Sequence, residues 1–229
     1  MRNYLVTGGT SGIGRAVAAH LTATGARVWI TGTRRETLDA ALAGGVAYGG
    51  SVCDVSREEQ VERAFSDAVD AIGALDGVFA NAGIDGVGAS ASELSPEGFA
   101  RVLDVNVLGT FRTARAAYRA LKRPGQLVLN ASVNALRPER GFTDYNVSKA
   151  ATKALAESLA IEWSGEGLSV VAICPGYFRS RMTETWLDDP ETSRELLSRI
   201  PAARFGEHAE IAATVEFLLS GRAAFLTGA

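Results

Sequence analysis

Residues 7–14 read TGGTSGIG and follow directly on the apolar run Tyr4-Leu5-Val6. Glycines at positions 8, 12 and 14 permit a tight turn and allow the main chain to approach a ligand closely. A helical pattern comes next, and the free N–H groups at a helix start attract phosphate. This order predicts a dinucleotide pyrophosphate site, although the spacing GxxxGxG differs from the common GxGxxG. A merely flexible glycine loop is the alternative for this stretch on its own.

Outside this loop, apolar runs alternate with amphipathic stretches. The runs are short and continuously apolar, as in strands buried on both faces. They predict strands at residues 4–7, 27–31, 47–52, 77–80, 126–130 and 169–173. We expect the helix after the third strand to start with a capping box formed by Ser56 and Glu59. The alternation predicts an α/β fold, a doubly wound parallel sheet with helices on both faces, in a single domain over residues 1–229.

Composition excludes several classes of protein. The 229-residue chain has a net charge of −3 and no basic patch, which predicts no nucleic-acid partner. No apolar run approaches the roughly 20 residues that span a bilayer, and no signal peptide precedes the first strand, so we predict no membrane association. Cys53 and Cys174 indicate no disulfide framework, and His20 and His208 belong to no metal-binding pattern. These features predict a soluble, cytoplasmic protein that carries no metal.

Tyr145 and Lys149 are four residues apart in a helix predicted to begin near Thr143, so their side chains share a face. A free phenol has a pKa near 10 and is a poor acid or base at neutral pH. A nearby ammonium and an oxidised nicotinamide would lower that pKa. Ser132 follows the strand at 126–130, where its hydroxyl could bind a substrate carbonyl as negative charge develops. A chance pair on an exposed helix and an ordinary strand-end serine are the alternatives.

In order and over essentially the whole chain, these motifs resemble the short-chain dehydrogenase/reductase family. The glycine loop matches that family's TGxxxGIG form, and Tyr145 with Lys149 matches its YxxxK form. The other matching segments are Asp54-Val55, Ala80-Asn81-Ala82-Gly83, Asp104-Val105-Asn106-Val107-Leu108-Gly109, Pro175-Gly176 and Arg204-Phe205-Gly206. The resemblance implies a Rossmann-type fold. It also implies hydride transfer between a nicotinamide cofactor and a ketone or secondary alcohol, for example a 3-oxoacyl thioester or a small ketone.

The resemblance assigns a role to each matching residue. Tyr145 would be the general acid or base, and Lys149 would bind the nicotinamide ribose and lower the tyrosine pKa. Ser132 would orient the substrate oxygen, and Asn106 would hold a water that links Lys149 to solvent. The cofactor would be bound by Gly8, Thr10, Ser11, Gly12, Ile13, Gly14, Thr33, Arg34, Arg35, Asp54, Val55, Asn81, Ala82, Gly83, Tyr145, Lys149, Pro175, Gly176, Phe178 and Ser180. Residues expected near the substrate are Val133, Asn134, Ala135, Asp144, Tyr177, Met182 and Trp186.

The choice of cofactor depends on the residues after the second strand. Gly32 occupies the position at which NAD-preferring relatives carry Asp, and Thr33, Arg34 and Arg35 follow it. An arginine can bind a phosphate through two parallel hydrogen bonds, so NADP(H) is favoured and NAD(H) remains possible. Two features of the sequence count against a preference for NADP(H). Ser11 stands where many NADP-preferring relatives have a basic residue, and the arginines could simply solvate the next helix.

The resemblance further implies a homodimer or homotetramer, paired through predicted helices at residues 98–121 and 143–165. The second helix carries small residues that would allow close helix approach, namely Ala150, Ala151, Ala154, Ala156 and Ala160. These alanines could instead pack within one subunit. Relatives continue beyond Thr227-Gly228-Ala229 with another strand, which this sequence lacks. Either the protein is a short member of the family or its chain continues beyond Ala229.

A different class of function stays open, namely a non-catalytic dinucleotide-sensing or scaffolding protein on the same fold. Such a protein would be expected to have lost the catalytic Tyr or Lys, and this chain keeps both. The physiological substrate is not predicted by the sequence, since pocket shape cannot be inferred from it.

Overall fold

The computed structural model describes residues 1–178 and 188–229. Its six strands form one parallel sheet in the order β3-β2-β1-β4-β5-β6. The strands are β1 (Asn3–Val6), β2 (Arg27–Gly32), β3 (Gly49–Val52), β4 (Leu75–Ala80), β5 (Leu121–Asn130) and β6 (Leu168–Ile173). The described helices are α1 (Gly12–Ala23), α2 (Arg35–Ala43), α3 (Glu58–Ile72), α4 (Pro96–Leu103), α5 (Gly109–Ala120), α6 (Thr143–Trp163), α7 (Pro190–Ser198) and α8 (His208–Leu219). This confirms the predicted doubly wound α/β fold.

Helices cover both faces of the sheet. Successive strand residues such as Leu5 and Val6 point into different apolar clusters. The first cluster is completed by α3, α5 and α6, and the second by α1, α2 and α8. Because both faces are buried, the strands are continuously apolar rather than alternating.

Strand order reverses between β1 and β4, which are direct neighbours in the sheet although two strands separate them in sequence. The loops after these two strands turn to opposite faces of the sheet and leave a crevice between them at the carboxyl edge. This topology decides where a ligand can bind.

The predicted capping box at Ser56 is wrong. Helix α3 begins at Glu58 with Arg57 at its N-cap, and no side chain caps it. Ser56 instead donates both its main-chain N–H and its hydroxyl to Asp54 Oδ1, at 2.9 and 2.8 Å. The carboxylate two residues upstream is the stronger acceptor, so the chain forms a turn there before the helix starts.

The final residues run beside β6. Gly228 N–H donates to Val170 O at 2.8 Å, and Ala172 N–H donates to Ala229 O at 2.9 Å. The outer edge of β6 is therefore partly paired, although no seventh strand is formed among the described residues. Within those same residues, no helix has both the length and the apolar character needed to cross a bilayer.

Candidate active site

A cavity of about 890 Å3 opens at the carboxyl edge of the sheet. Its wall includes a residue at or just after the end of each of the six strands: Gly8, Gly32, Cys53, Asn81, Asn130 and Pro175. The cavity therefore lies at the crevice that the strand order creates. It joins the glycine loop at one end to Ser132, Tyr145 and Lys149 at the other.

The glycine loop is shaped to approach a ligand. Gly8 has a φ of +65°, a left-handed backbone conformation that residues with a side chain rarely adopt. Helix α1 follows with Ser11 at its N-cap, and the serine side chain makes no capping bond. The first N–H groups of α1 are thus left for an anion at the cavity wall. Gly14 does not line the cavity. It lies against the loop instead, since a Cβ there would be 2.4 Å from Gly8 O and would push the loop open.

Asn81 ties this loop to the sheet. Its Nδ2 donates to Thr7 O at 3.0 Å, and its Oδ1 accepts from Asn130 Nδ2 at 2.9 Å. Thr7 Oγ1 in turn accepts the N–H groups of Asn81 and Ala82. The Asn81 side chain therefore holds the glycine loop against the sheet, and the same residue also lines the cavity.

The two arginines that follow β2 differ in their position relative to the cavity. Arg34 lines the cavity together with Thr33, Asp54 and Val55. Arg35 is not among the lining residues, and its guanidinium pairs with Asp39 at 3.7 Å on the exposed side of α2. Arg34 therefore lines the cavity and Arg35 does not, and the contact of either with a cofactor phosphate stays a prediction.

Lys149 is buried at the other end of the cavity, where its Nζ donates to Asn130 O at 2.8 Å. The same Nζ lies 5.5 Å from the centre of the Tyr145 ring, one turn earlier on α6. Burial lowers the pKa of Lys149 to about 8, because a charged amine is poorly solvated there. The predicted pair is therefore brought together on one helix face.

The pKa of Tyr145 differs from the expectation. Burial raises this pKa to about 12, and the hydrogen bond from Ser132 opposes the rise. The negative charges of Asp85 and Glu139 raise it further. In the protein alone, burial outweighs any lowering by Lys149, whose own charge is disfavoured by the same burial.

Asn106 lies in a five-residue π-helical turn, Asp104–Leu108, between α4 and α5. Its Oδ1 accepts from Ile84 N at 2.8 Å, and its Nδ2 donates to Ile84 O at 2.9 Å and to Ser148 Oγ at 3.0 Å. Asn106 is buried and is not among the lining residues. It fixes the segment after β4 against α6, and its role in holding a water stays a prediction.

Asp144 makes a second tie between that segment and α6. Its buried carboxylate accepts the N–H of Tyr145 through Oδ1 and the N–H of Val87 through Oδ2, both at 2.8 Å. A Cβ at Gly86 would lie 2.6 Å from Asp144 Oδ1 and 3.1 Å from Tyr145 Cβ. The segment after β4 is thus pressed directly against the residue proposed as acid or base.

Other residues expected near the substrate lie outside the lining. Asn134 is buried and donates to Asn146 Oδ1 at 2.9 Å, and Tyr177 donates to Glu139. Val133, Ala135 and Asp144 likewise do not line the cavity. Ser180, Met182 and Trp186 fall outside the described residues.

Several residues that line the cavity were not predicted from the sequence. They are Thr37, Cys53, Ser56, Ile84, Asp85, Arg101, Asp104, Val105, Asn130 and Ala131. Ile84 and Asp85 could have been found, since they directly follow the quoted segment Ala80-Asn81-Ala82-Gly83. The same signal was available for residues that flank or belong to other quoted segments, namely Cys53, Ser56, Asp104, Val105, Asn130 and Ala131. Thr37 and Arg101 have no such signal, because they reach the cavity only through the packing of distant elements.

The chain is similar in sequence to known oxidoreductases over nearly its whole length. A family model described as enoyl-(acyl carrier protein) reductase matches residues 8–229. Glucose 1-dehydrogenase of Gluconobacter oxydans is 31% identical, over 99% of this chain and 88% of that protein. The 2-(R)-hydroxypropyl-CoM dehydrogenase of Xanthobacter autotrophicus is 36% identical, over 100% of this chain and 95% of that protein.

Solved structures match equally well. A short-chain type dehydrogenase/reductase from Mycobacterium ulcerans has a TM-score of 0.95 and 33% identity, over 99% of this chain and 86% of that one. NAD+-bound xylitol dehydrogenase has a TM-score of 0.92 and 31% identity, over 99% and 95%. Actinorhodin polyketide ketoreductase with NADPH has a TM-score of 0.91 and 28% identity, over 99% and 93%. The similar structures thus include one with each type of nicotinamide cofactor.

Proposed function

The chain belongs to the short-chain dehydrogenase/reductase family, and on this premise we propose that it reduces a ketone, or oxidises the corresponding secondary alcohol, with Tyr145 as general acid or base. The observation that supports this most is the single cavity that joins the glycine cradle to Ser132, Tyr145 and Lys149. A screen of carbonyl compounds that follows NADPH absorbance tests the proposal. Turnover of none of them, despite cofactor binding, would favour the sensing or scaffolding alternative.

The residues of the cavity fit a nicotinamide dinucleotide. The uncapped start of α1 and the main chain at Gly8 suit a pyrophosphate, and Asp54 with Val55 lines the end of the cavity near β2 and β3. Lys149, Pro175 and Gly176 line the end near Tyr145 and would hold the nicotinamide half. When bound, the cofactor supplies or accepts the hydride.

The chain itself supplies the proton and the orientation. Because burial raises the pKa of Tyr145, its phenol stays protonated at neutral pH in the protein alone, which is the form that donates a proton to a carbonyl oxygen. The Ser132 hydroxyl lies beside this phenol and would donate to the same oxygen as negative charge develops on it. A pKa of about 8 leaves Lys149 charged at neutral pH, where it would donate to the ribose hydroxyls and favour the phenolate that alcohol oxidation requires.

On cofactor choice, we propose that NADP(H) is preferred and that Arg34 carries the preference. Arg34 lines the cavity and has no acidic residue beside it at the end of β2, where Gly32 and Thr33 stand. Arg34→Ala should weaken NADPH binding by about 10-fold or more, because a charge-assisted bond to phosphate contributes roughly 1.5 to 3 kcal/mol. Isothermal titration of each cofactor measures this.

Arg35→Ala is the matched control, since it removes the neighbouring positive charge, which pairs with Asp39 outside the cavity. Its effect on the Kd of NADPH should be small, and neither variant should change the Kd of NADH by much. Equal Kd values of the wild type for NADPH and NADH would contradict the preference.

We also propose a two-fold dimer that pairs α5 and α6 with their copies. Apolar side chains are exposed around these helices, at Leu108, Phe111, Val147 and Ile161. Of the alanines on α6, Ala156 and Ala160 are buried within the subunit, whereas Ala150 and Ala154 are exposed. A close helix contact would cover this exposed surface.

Sedimentation at micromolar concentration should find at least a dimer for the wild type, and Phe111→Glu should shift it to monomer because a charge would be buried in the contact. Phe225→Glu, at an exposed residue near the end of the chain, is the control and should leave at least the dimer. A monomeric wild type would refute the helix contact.

A further inference from the structure

Asp85 is a carboxylate in the wall of the cavity, next to the residues proposed to carry the chemistry. It comes two residues after Gly83, at which a Cβ would lie 3.6 Å from Lys149 Nζ. It precedes Gly86, at which a Cβ would lie 3.1 Å from Tyr145 Cβ. Its negative charge adds to the rise in the pKa of Tyr145 and partly opposes the lowering of the pKa of Lys149 by burial. Asp85 therefore faces the substrate end of the cavity rather than the adenosine end.

The position of Asp85 is held from both sides. Asn106 binds both main-chain groups of Ile84, and Asp144 binds the N–H of Val87. These ties connect the segment after β4 to residues that are 22 and 57 positions away. A side chain whose flanking backbone is bonded in this way is preorganised, so it loses little entropy when it binds a ligand.

Much of the bonding capacity of Asp85 is left for a ligand. Its Oδ1 accepts the N–H of Gly86 at 2.9 Å, and no other donor to this carboxylate is found among residues 1–178 and 188–229. A carboxylate has about four acceptor positions. A substrate that fills the cavity displaces water from Asp85, and an alkyl group placed there would leave the oxygens without donors.

The surrounding charges limit which donor fits. Burial raises the pKa of Asp85, and the negative charges of Asp144 and Glu139 add to the rise, whereas the N–H of Gly86 and the charge of Lys149 oppose it. The same two carboxylates make the site unfavourable for an anionic group. An additional cation would face the Lys149 amine at the same end of the cavity. A neutral hydroxyl is repelled neither by the carboxylates nor by the Lys149 amine, and its O–H can donate to a free acceptor position of Asp85.

We propose that Asp85 is a specificity-determining residue that selects substrates carrying a neutral hydroxyl group beside the reacting carbon, such as vicinal diols and hydroxyketones. This inference rests on the proposed oxidoreductase function and deepens it, because it names the substrate class of the same site. It predicts that a vicinal diol is bound better than a mono-alcohol of the same carbon skeleton.

The probes are butan-2-ol and the separate stereoisomers of butane-2,3-diol, which differ by one hydroxyl. Saturation-transfer NMR titrations with the full chain and NADPH give their affinities without turnover, because the cofactor is already reduced. For at least one stereoisomer, the wild type should prefer the diol by about 10-fold or more, as expected for a hydrogen bond to a charged group.

Asp85→Ala should reduce this preference to about one, since it removes the acceptor. Asp85→Asn keeps the shape but removes the charge, and its amide can bond the diol hydroxyl only as one neutral group to another, so the preference should fall clearly below that of the wild type. Glu93→Gln is the matched control, because Glu93 is an exposed acid between β4 and α4 that does not line the cavity. It should keep the full preference.

Thermal unfolding and NADPH affinity confirm that each variant is folded, and Asp85→Asn carries the test where Asp85→Ala is unstable. A wild type that binds both probes equally, or binds no diol, overturns the inference, as does a preference that stays at its wild-type size in both Asp85 variants. A diol preference without turnover of any carbonyl compound would uphold the Asp85 site and refute the oxidoreductase function. Turnover without a preference would do the reverse.

Discussion

Tyr145→Phe should lower the rate of carbonyl reduction by about 10² to 10⁴-fold, the usual contribution of a positioned proton donor. The substitution removes one hydroxyl at the cavity wall and leaves the ring, so packing on α6 is hardly changed. Single-turnover measurements with NADPH and a carbonyl compound found in the screen isolate the chemical step. NADPH affinity and the thermal midpoint should stay close to those of the wild type.

Tyr48→Phe provides the matched control, because Tyr48 is exposed and lies outside the cavity lining. It should turn over at the wild-type rate. If Tyr145→Phe kept more than about a tenth of the wild-type rate, Tyr145 would not be the proton donor. A protein that binds NADPH with an unchanged Kd but never turns over, in wild type and variant alike, would instead fit the sensing alternative.

Lys149→Met should lower the turnover rate by about 10² or more, the usual effect of losing an electrostatic contact at the reacting centre. It should also weaken cofactor binding, since the amine proposed to bind the ribose is lost. The same substitution has a separate effect on folding. Lowering the pKa of this buried amine from 10.5 to about 8 means that its charge destabilises the folded state at neutral pH, by about 3 kcal/mol at most.

The sign of the pH dependence follows from proton binding. Between about pH 8 and 10.5 the unfolded chain keeps the Lys149 proton and the folded protein has lost it. The unfolded state therefore binds more protons, and the free energy of unfolding contributed by this group rises with pH across that window. We expect the stability of the wild type to increase relative to Lys149→Met as the pH rises from about 8 to 10.5.

Urea unfolding of both proteins at several pH values measures this difference. Lys153→Met is the control, because Lys153 lies one turn later on α6, is only partly buried and pairs with Glu157. Its stability difference from the wild type should be flat over the same window. A flat difference for Lys149→Met too would show that the amine is not desolvated as the structure indicates.

Local sequence patterns sufficed for much of the fold. The strand, glycine loop and helix over residues 4–23 were predictable because each feature depends on neighbouring residues: an apolar run, glycines at a turn and a helix start. The same holds for Tyr145 and Lys149, since a spacing of four residues places two side chains on one helix face whatever surrounds the helix. The order of the motifs indicated the family, which the comparisons confirm.

Where several local partners were available, the sequence could not choose among them. The capping box predicted at Ser56 was wrong because Asp54 offers a better acceptor. Arg35 pairs with Asp39 and does not line the cavity, and its contact with the cofactor stays a prediction. Only the path of the folded chain decides which of several local partners a side chain takes. Element bounds such as the start of β5 at Leu121 differ for the same reason.

The sequence by itself determined the doubly wound sheet, the cradle at residues 7–14 and the identity of the Tyr145 and Lys149 pair. Only the tertiary structure decided that Asp144 clamps Val87 from 57 residues away, that Asp85 faces the cavity, and that the pKa of Tyr145 rises to about 12. Periodicity and spacing act over a few residues, whereas burial and charge–charge interactions act between groups that meet only when the chain has folded.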